Sequence, residues 1–289
     1  DTSFYTFKKI NKIQRNVTVD QYGRILVNGE LFFPFGCYYS ENYIDLVNQT
    51  HFNVIKGGNY LTKKKMDNIY SALQGKVKII YALNFSSVLY PEPNTELQKE
   101  ENYKKQIYDK INEFKDHPSL LAWYVNDERP SEFNKEIRNI TLTIHELDPH
   151  HPSYSVLQPY GEMPFLLNTT DIMGIDTYPV GKREIRQVNY LTSKEAEKPL
   201  GKPMIPVVQI FDWSVYNQTT TGESVVPTLQ EMRSMSWQYL VLKVKGLMFY
   251  SLYEIVQMDK VTPIEKRWND IITFTDEIWK YKDVLLSVD

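Results

Sequence analysis

Eight apolar runs of strand length, each followed by a longer amphipathic or polar stretch, occupy the chain from residue 31 onward. They are Leu31 to Tyr39, Phe52 to Gly57, Lys76 to Leu83, Leu120 to Asn126, Ser153 to Leu157, Asp171 to Tyr178, Met204 to Phe211 and Gly246 to Tyr253. Between them the apolar spacing predicts helices at Glu41 to Asn48, Lys63 to Leu73, Thr95 to Lys115, Ser131 to Leu147, Lys182 to Glu197 and Thr228 to Val244, with a last one at Ile264 to Tyr281. The connection after the fifth run reads as short and irregular. Strands alternating with helices, with no Gly/Ser/Pro-rich linker, imply an α/β fold with a parallel sheet. An open doubly wound sheet usually has a Gly-rich phosphate turn after its first strand, whereas the first run here leads into Cys37-Tyr-Tyr-Ser-Glu41. The expectation is therefore a closed (β/α)8 TIM barrel.

The length of 289 residues suits one such barrel of about 250 residues plus an extension. Val17 to Asp20 and Arg24 to Val27 flank Gln21-Tyr-Gly23, and Asn28-Gly29 makes a second turn. Residues 1–30 are accordingly read as an N-terminal extension and β-hairpin packed on the barrel's N-terminal mouth, and residues 31–289 as the barrel, one structural domain.

Composition narrows the function classes. A formal net charge of −3, with 42% hydrophobic and 24% charged residues, has no basic excess for nucleic acid or anionic membranes. No run of about 18 apolar residues is present, so no membrane insertion is expected. The start at Asp1, without a basic stretch and apolar core, is what a mature form with its leader removed would show. A lone Cys37 excludes an internal disulfide framework. Asn16, Asn48, Asn84, Asn139, Asn168 and Asn217 each open an N-x-S/T triplet without an intervening Pro, where chance would supply roughly two. That excess points to a secreted, N-glycosylated eukaryotic protein. His117, His145, His150 and His151 lie before strands or in helices and His51 in a loop, so neither a metal site nor a Ser-His-Asp triad is expected. No cofactor is expected, and the oligomeric state does not follow from the sequence.

In a barrel the chemistry sits at the C-terminal ends of the strands. Tyr39 ends the first run. Asn126, Asp127 and Glu128 follow the fourth, Asp176 and Tyr178 close the sixth, Gln209, Asp212 and Trp213 close the seventh, and Tyr250 and Glu254 close the eighth. Glycosidic cleavage needs a carboxylic acid to protonate the leaving oxygen and usually a second carboxylate, while aromatic faces stack on sugar rings. The bland alternative is that strand-end acids such as Asp127 and Asp212 cap the helices that follow. Strand alternation puts Tyr124 and Asn126 on the same face as Glu128, with Trp123 turned toward the helices.

The stretch His117-Pro-Ser-Leu-Leu-Ala-Trp-Tyr-Val-Asn-Asp-Glu-Arg-Pro130 resembles the fourth-strand segment of clan A glycoside hydrolases, particularly family 2-like catalytic barrels. Val19 to Gly36 is similar to the hairpin and first strand that open such domains, and Asp171 to Pro179, Pro206 to Trp213 and Lys245 to Tyr253 to later strands. The resemblance implies that Glu128 is the general acid/base. Two departures stand out. Asp127 separates Asn126 from Glu128, where the clan has them adjacent. The seventh strand offers Gln209 where the clan has its nucleophilic Glu, and an amide cannot form the covalent intermediate.

Three repairs remain open. Adjacent Asp127 and Glu128 could act as in family 20 enzymes, in which the substrate's acetamido group attacks, Asp steadies it and Glu protonates. Asp212 or Glu254 could be the partner carboxylate. Or the barrel could be a catalytically inactive carbohydrate-binding or structural glycoprotein. The leading expectation is a glycoside hydrolase with Glu128 as general acid/base, its pKa raised, assisted by Asp127. Tyr39, Asn126, Asp176, Tyr178, Gln209, Asp212, Trp213, Tyr250 and Glu254 are expected to line the sugar site.

Overall fold

The computed structural model describes residues 16–39, 43–58, 61–83, 97–158, 161, 163–196, 202–216, 225–257 and 263–288. Three short strands, β1 (Val17–Val19), β2 (Ile25–Val27) and β3 (Glu30–Phe32), form an antiparallel sheet. Eight parallel strands follow: β4 (Phe35–Tyr38), β5 (Val54–Gly57), β6 (Lys78–Ala82), β7 (Leu120–Asp127), β8 (Ser153–Leu157), β9 (Ile172–Ile175), β10 (Val207–Gln209) and β11 (Leu247–Tyr250). Neighbours run in chain order from β4 to β9, and β10 pairs β11, which pairs β4. Parallel bridges Met173–Met204 and Asp176–Val207 join β9 to the β10 segment and complete the ring. The helices are α1 (Ile44–Asn48), α2 (Lys63–Ala72), α3 (Leu97–Phe114), α4 (Asn134–Leu147), α5 (Met163–Leu166), α6 (Gln187–Ala196), α7 (Leu229–Leu240), α8 (Leu252–Gln257), α9 (Ile264–Trp279) and α10 (Lys282–Leu285). No helix among the described residues is long and apolar enough to cross a membrane.

The TIM barrel with an N-terminal hairpin is thus the fold, with local differences from the sequence reading. Residues 30–32 belong to the antiparallel sheet, because Pro34 lacks an N–H and ends the ladder before β4 begins. The link between β2 and β3 is the Asn28-Gly29 turn, with φ of 52° and 87°, the left-handed pair that a two-residue hairpin turn requires. The last strand stops at Tyr250, and Leu252–Gln257 is helical. The expected helix starts at Glu41 and Thr95 lie outside the described residues.

Alternation along each strand sorts the core into two layers. Outward residues such as Phe35, Ile55, Tyr81, Trp123 and Phe249 meet the helices, while Tyr38, Val54, Ile80, Tyr124, Tyr154, Val207 and Met248 fill the barrel. Val17 and Ile25 of the hairpin sheet join this inner cluster and close the barrel's N-terminal end. Gly36 allows β4 and β5 to lie close: a Cβ there would stand 1.8 Å from the Val54 carbonyl oxygen.

Beneath the barrel, the Asp148 carboxylate takes hydrogen bonds from Trp123 Nε1 (2.7 Å), His151 Nδ1 (2.8 Å) and the His150 N–H (3.0 Å). Burial alone would raise its pKa, but the bonds from His151 and Trp123 overcome burial and hold it below the ordinary value. A depressed pKa stabilises the fold above the unfolded-state value of about 3.9, and that stability is lost as pH falls through the folded-state value. Asp148→Asn is therefore expected to cost about 2 kcal/mol at neutral pH. The deficit should shrink in urea melts run below about pH 3, whereas a pH-independent deficit would mean that the charge contributes nothing.

Candidate active site at the barrel mouth

The end of β7 sets the geometry. Its pairing with β8 slips by one residue between Tyr124 and Asn126, so Val125 is an extra residue and the alternation resets. Tyr124 and Asp127 consequently share a face, and the Tyr124 hydroxyl donates to Asp127 Oδ1 at 2.6 Å. This replaces the expected set of Tyr124, Asn126 and Glu128. Asn126 is buried, its Oδ1 accepts from the Arg129 N–H at 3.2 Å, and its Nδ2 has no partner among the described residues. At Glu128 the backbone leaves the strand with φ of 57°, held by its N–H to the Val156 carbonyl at 2.9 Å. That turn lets both neighbouring acids reach the mouth. Glu128 is exposed, and Oε2 accepts from Gln158 Nε2 at 2.7 Å. Trp123 faces the helices, fully buried.

Across the mouth, Asp176 follows β9 and is buried. Burial, first, and then the Glu128 carboxyl within hydrogen-bonding reach push its pKa well above the ordinary carboxylate range, and Asp127 adds to the effect. Asp176 and Glu128 thus form a carboxyl pair across the mouth. Asp176, expected only to line the site, is an acid whose pKa the fold raises.

Lys56, on β5, was not singled out by the sequence reading. Its ammonium lies 4.6 Å and 4.5 Å from the ring centroids of Tyr38 and Tyr124, whose hydroxyls are 3.3 Å apart. Burial lowers its pKa, while Asp127 and Glu254 act in the opposite sense. The sequence did hold a signal, since Lys56 is the one charged residue within the run Phe52 to Gly57 and shares parity with the inward-facing Val54. The same parity puts Tyr38 inside and Tyr39 outside: Tyr39 packs in the layer under the helices, away from the mouth, contrary to expectation.

The wall from β10 and β11 is aromatic. Tyr178 contacts Phe211, Trp213 and Tyr250 with ring centroids 5.1, 6.2 and 5.8 Å apart, and Lys182 Nζ stands 3.2 Å from the centre of Trp213. Glu254 is in the first turn of α8, buried, with Oε1 accepting from the Tyr216 hydroxyl at 2.5 Å and the Tyr250 hydroxyl at 3.1 Å. Its Oε2 has no partner among the described residues.

Two expected ligand contacts are tied up in the protein. Gln209 is fully buried: Oε1 accepts from the Val180 N–H at 2.8 Å, and Nε2 donates to the Val180 and Phe211 carbonyls, both at 3.0 Å. Asp212, also fully buried, accepts from the Ser214 N–H at 2.7 Å and opens the 3-10 turn Trp213–Tyr216, which is the capping role the sequence left as its alternative. The mouth thus gathers Asp127, Glu128, Asp176, Tyr178, Trp213, Tyr250 and Glu254, joined by Lys56, Tyr38 and Tyr124. It supplies a buried carboxyl of raised pKa, two further carboxylates held by phenols, and aromatic faces, and such a set suits acid-assisted cleavage of a polyhydroxylated substrate.

No protein-family model and no curated protein matches this chain. Its fold is similar to solved structures of a glycoside hydrolase (TM-score 0.61, 14% identity, covering 82% of this chain and 66% of that one). It is likewise similar to the β-D-glucuronidase of Dictyoglomus thermophilum (TM-score 0.57, 15% identity, 82% and 46%) and a β-glucuronidase of an uncultured Clostridium species (0.58, 17%, 82% and 46%). The chain spans less than half the length of those two glucuronidases. At these identities the likeness establishes the barrel.

Gln209 both donates and accepts, and a carboxylate in its place would face the Val180 and Phe211 carbonyls with no proton to offer. Gln209→Glu is expected to lower stability by about 2–4 kcal/mol in denaturant melts and to give no gain in turnover of chromogenic glycosides. A stable variant with new activity would show that this position can be freed for chemistry.

Proposed function

We propose that the chain is a glycoside hydrolase in which Glu128 meets the glycosidic oxygen and the Glu128–Asp176 pair supplies its proton. The supporting observation is the buried Asp176, its pKa raised by burial and by the neighbouring Glu128, within reach of exposed Glu128 in an aromatic-walled barrel mouth. A sugar stacked against Trp213 and Tyr178 would present its leaving oxygen to Glu128. As the C–O bond breaks, the shared proton moves to that oxygen, and the positive charge growing on the anomeric carbon is steadied by Asp127, which the Tyr124 hydroxyl holds in place. With Gln209 engaged by backbone, the carbon is attacked by water or by an acetamido group of the substrate, and the attacking water returns a proton to the pair. Lys56 offsets the charge of Asp127 and Glu254 beneath the site.

A second reading, a sugar-binding barrel without turnover, is favoured by the same Gln209 clamp. The chain's passage through a glycosylating secretory pathway belongs to either reading. It is supported by the exposure of Asn16, Asn48, Asn139 and Asn168; Asn84 and Asn217 lie outside the described residues.

Chromogenic glycosides and a glycan mixture separate the two readings. Hydrolysis by the parent, with a loss of about 100-fold or more in Glu128→Gln, is expected. Because the Asp176 pKa is raised, activity should persist above the usual carboxylate range and fall on the alkaline side as the pair loses its proton, and Asp176→Asn should move that limb. Sugar binding without turnover would establish the second reading, and equal activity in Glu128→Gln would remove Glu128 from the chemistry. Expressed through a eukaryotic secretory route, the protein should lose mass on enzymatic deglycosylation, with glycans at the four exposed asparagines. An unchanged mass would remove the secretory assignment.

A further inference from the structure

Arg267, in the first turns of α9, is 5% exposed, yet among the described residues its guanidinium makes a single hydrogen bond, from Nη2 to the Ile210 carbonyl at 2.7 Å. Nη1 is buried without a partner. A guanidinium carries five donors, and leaving one buried and unsatisfied costs free energy that native proteins rarely leave uncompensated. Asp212 attracts it through space. Arg267 lines a cleft of about 270 Å³ on the outside of the barrel, between α7 and α9, with Lys266, Asp270, Pro227, Thr228 and Ile210. Two cations thus face one acid there, and Asp270 also acts on Arg233. The N-terminus of the 16-residue α9 adds its positive end to the same cleft. The start of α7 is already satisfied, since Thr228 and Glu231 cap each other.

From this geometry we infer an oxyanion site between α7 and α9, in which the unpartnered face of Arg267, with Lys266, takes a tetrahedral phosphate or sulfate group, free or carried on a sugar. The planar guanidinium fork suits two oxygens of such a group. Because Nη2 of the same guanidinium holds the carbonyl of Ile210, two residues before Asp212, an anion bound there would brace the end of the seventh barrel strand. This site is separate from the mouth carboxylates and does not depend on the proposed hydrolysis.

Calorimetric titration and thermal melts of the intact chain test it, with inorganic phosphate, inorganic sulfate, a sugar phosphate and a sulfated monosaccharide as probes, each against chloride at equal ionic strength. A saturable rise in melting temperature is expected for the parent with at least one probe, absent in Arg267→Met and partly kept in Arg267→Lys. Should Arg267→Met fail to fold, Lys266→Glu decides, since its side chain is exposed and reversing its charge should weaken affinity by about tenfold or more. Tighter binding of the sugar-borne groups than of the inorganic ions would identify the carried form, and the reverse the free ion. A cleft that holds only water would give no saturable response, or the same non-saturable response in parent and variants, and either result overturns the inference.

Discussion

The single inserted residue at Val125 governs the mouth. In a strict pleat Tyr124 would share its face with Asn126 and Glu128, and Asp127 would turn toward the helices. The slip in register brings Asp127 round to Tyr124, and the left-handed step at Glu128 then carries the next acid over the rim. Two adjacent carboxylates can serve one cavity only because the strand gives up its periodicity at this point. Everything that follows, from the partnership with Asp176 to the phenol that holds Asp127, depends on that local irregularity.

The electrostatics follow from crowding. Asp127, Glu128, Asp176 and Glu254 converge on a space walled by phenols and indole, and such a set cannot all be ionised at low cost. The protein resolves this in two ways. Asp176, the more enclosed of the pair with Glu128, has its pKa pushed up. Lys56 places its ammonium between two aromatic faces under the others, where burial weakens its hold on its own proton and the carboxylates offset part of that loss.

Period and parity made the fold legible in the sequence. Eight apolar runs gave eight barrel strands in order, and the Asn28-Gly29 turn was readable from its residue types alone. The runs overstated strand length wherever apolar residues continued past the last backbone pairing, as at Tyr39, at Ile210 and Phe211, and at Leu252 and Tyr253. For the same reason Tyr39, expected at the site, packs under the helices, and Glu254, expected just past the last strand, lies in the first turn of a helix. The roles of Gln209 and Asp212 were not legible, because each depends on backbone from a loop whose course no periodicity encodes. The raised pKa of Asp176 likewise needed three dimensions, since it arises from burial and from Glu128 at the end of β7 facing Asp176 after β9.

One detail of the ring bears on how the molecule moves. Every other adjacent pair of barrel strands is laddered at three or four residue pairs, whereas β9 meets the β10 segment at two isolated bridges, one of them at Asp176 itself. Sparse backbone pairing lowers the local opening energy, so the seam beside Asp176 is the least tied line of the ring and the one where solvent would first reach that buried carboxyl.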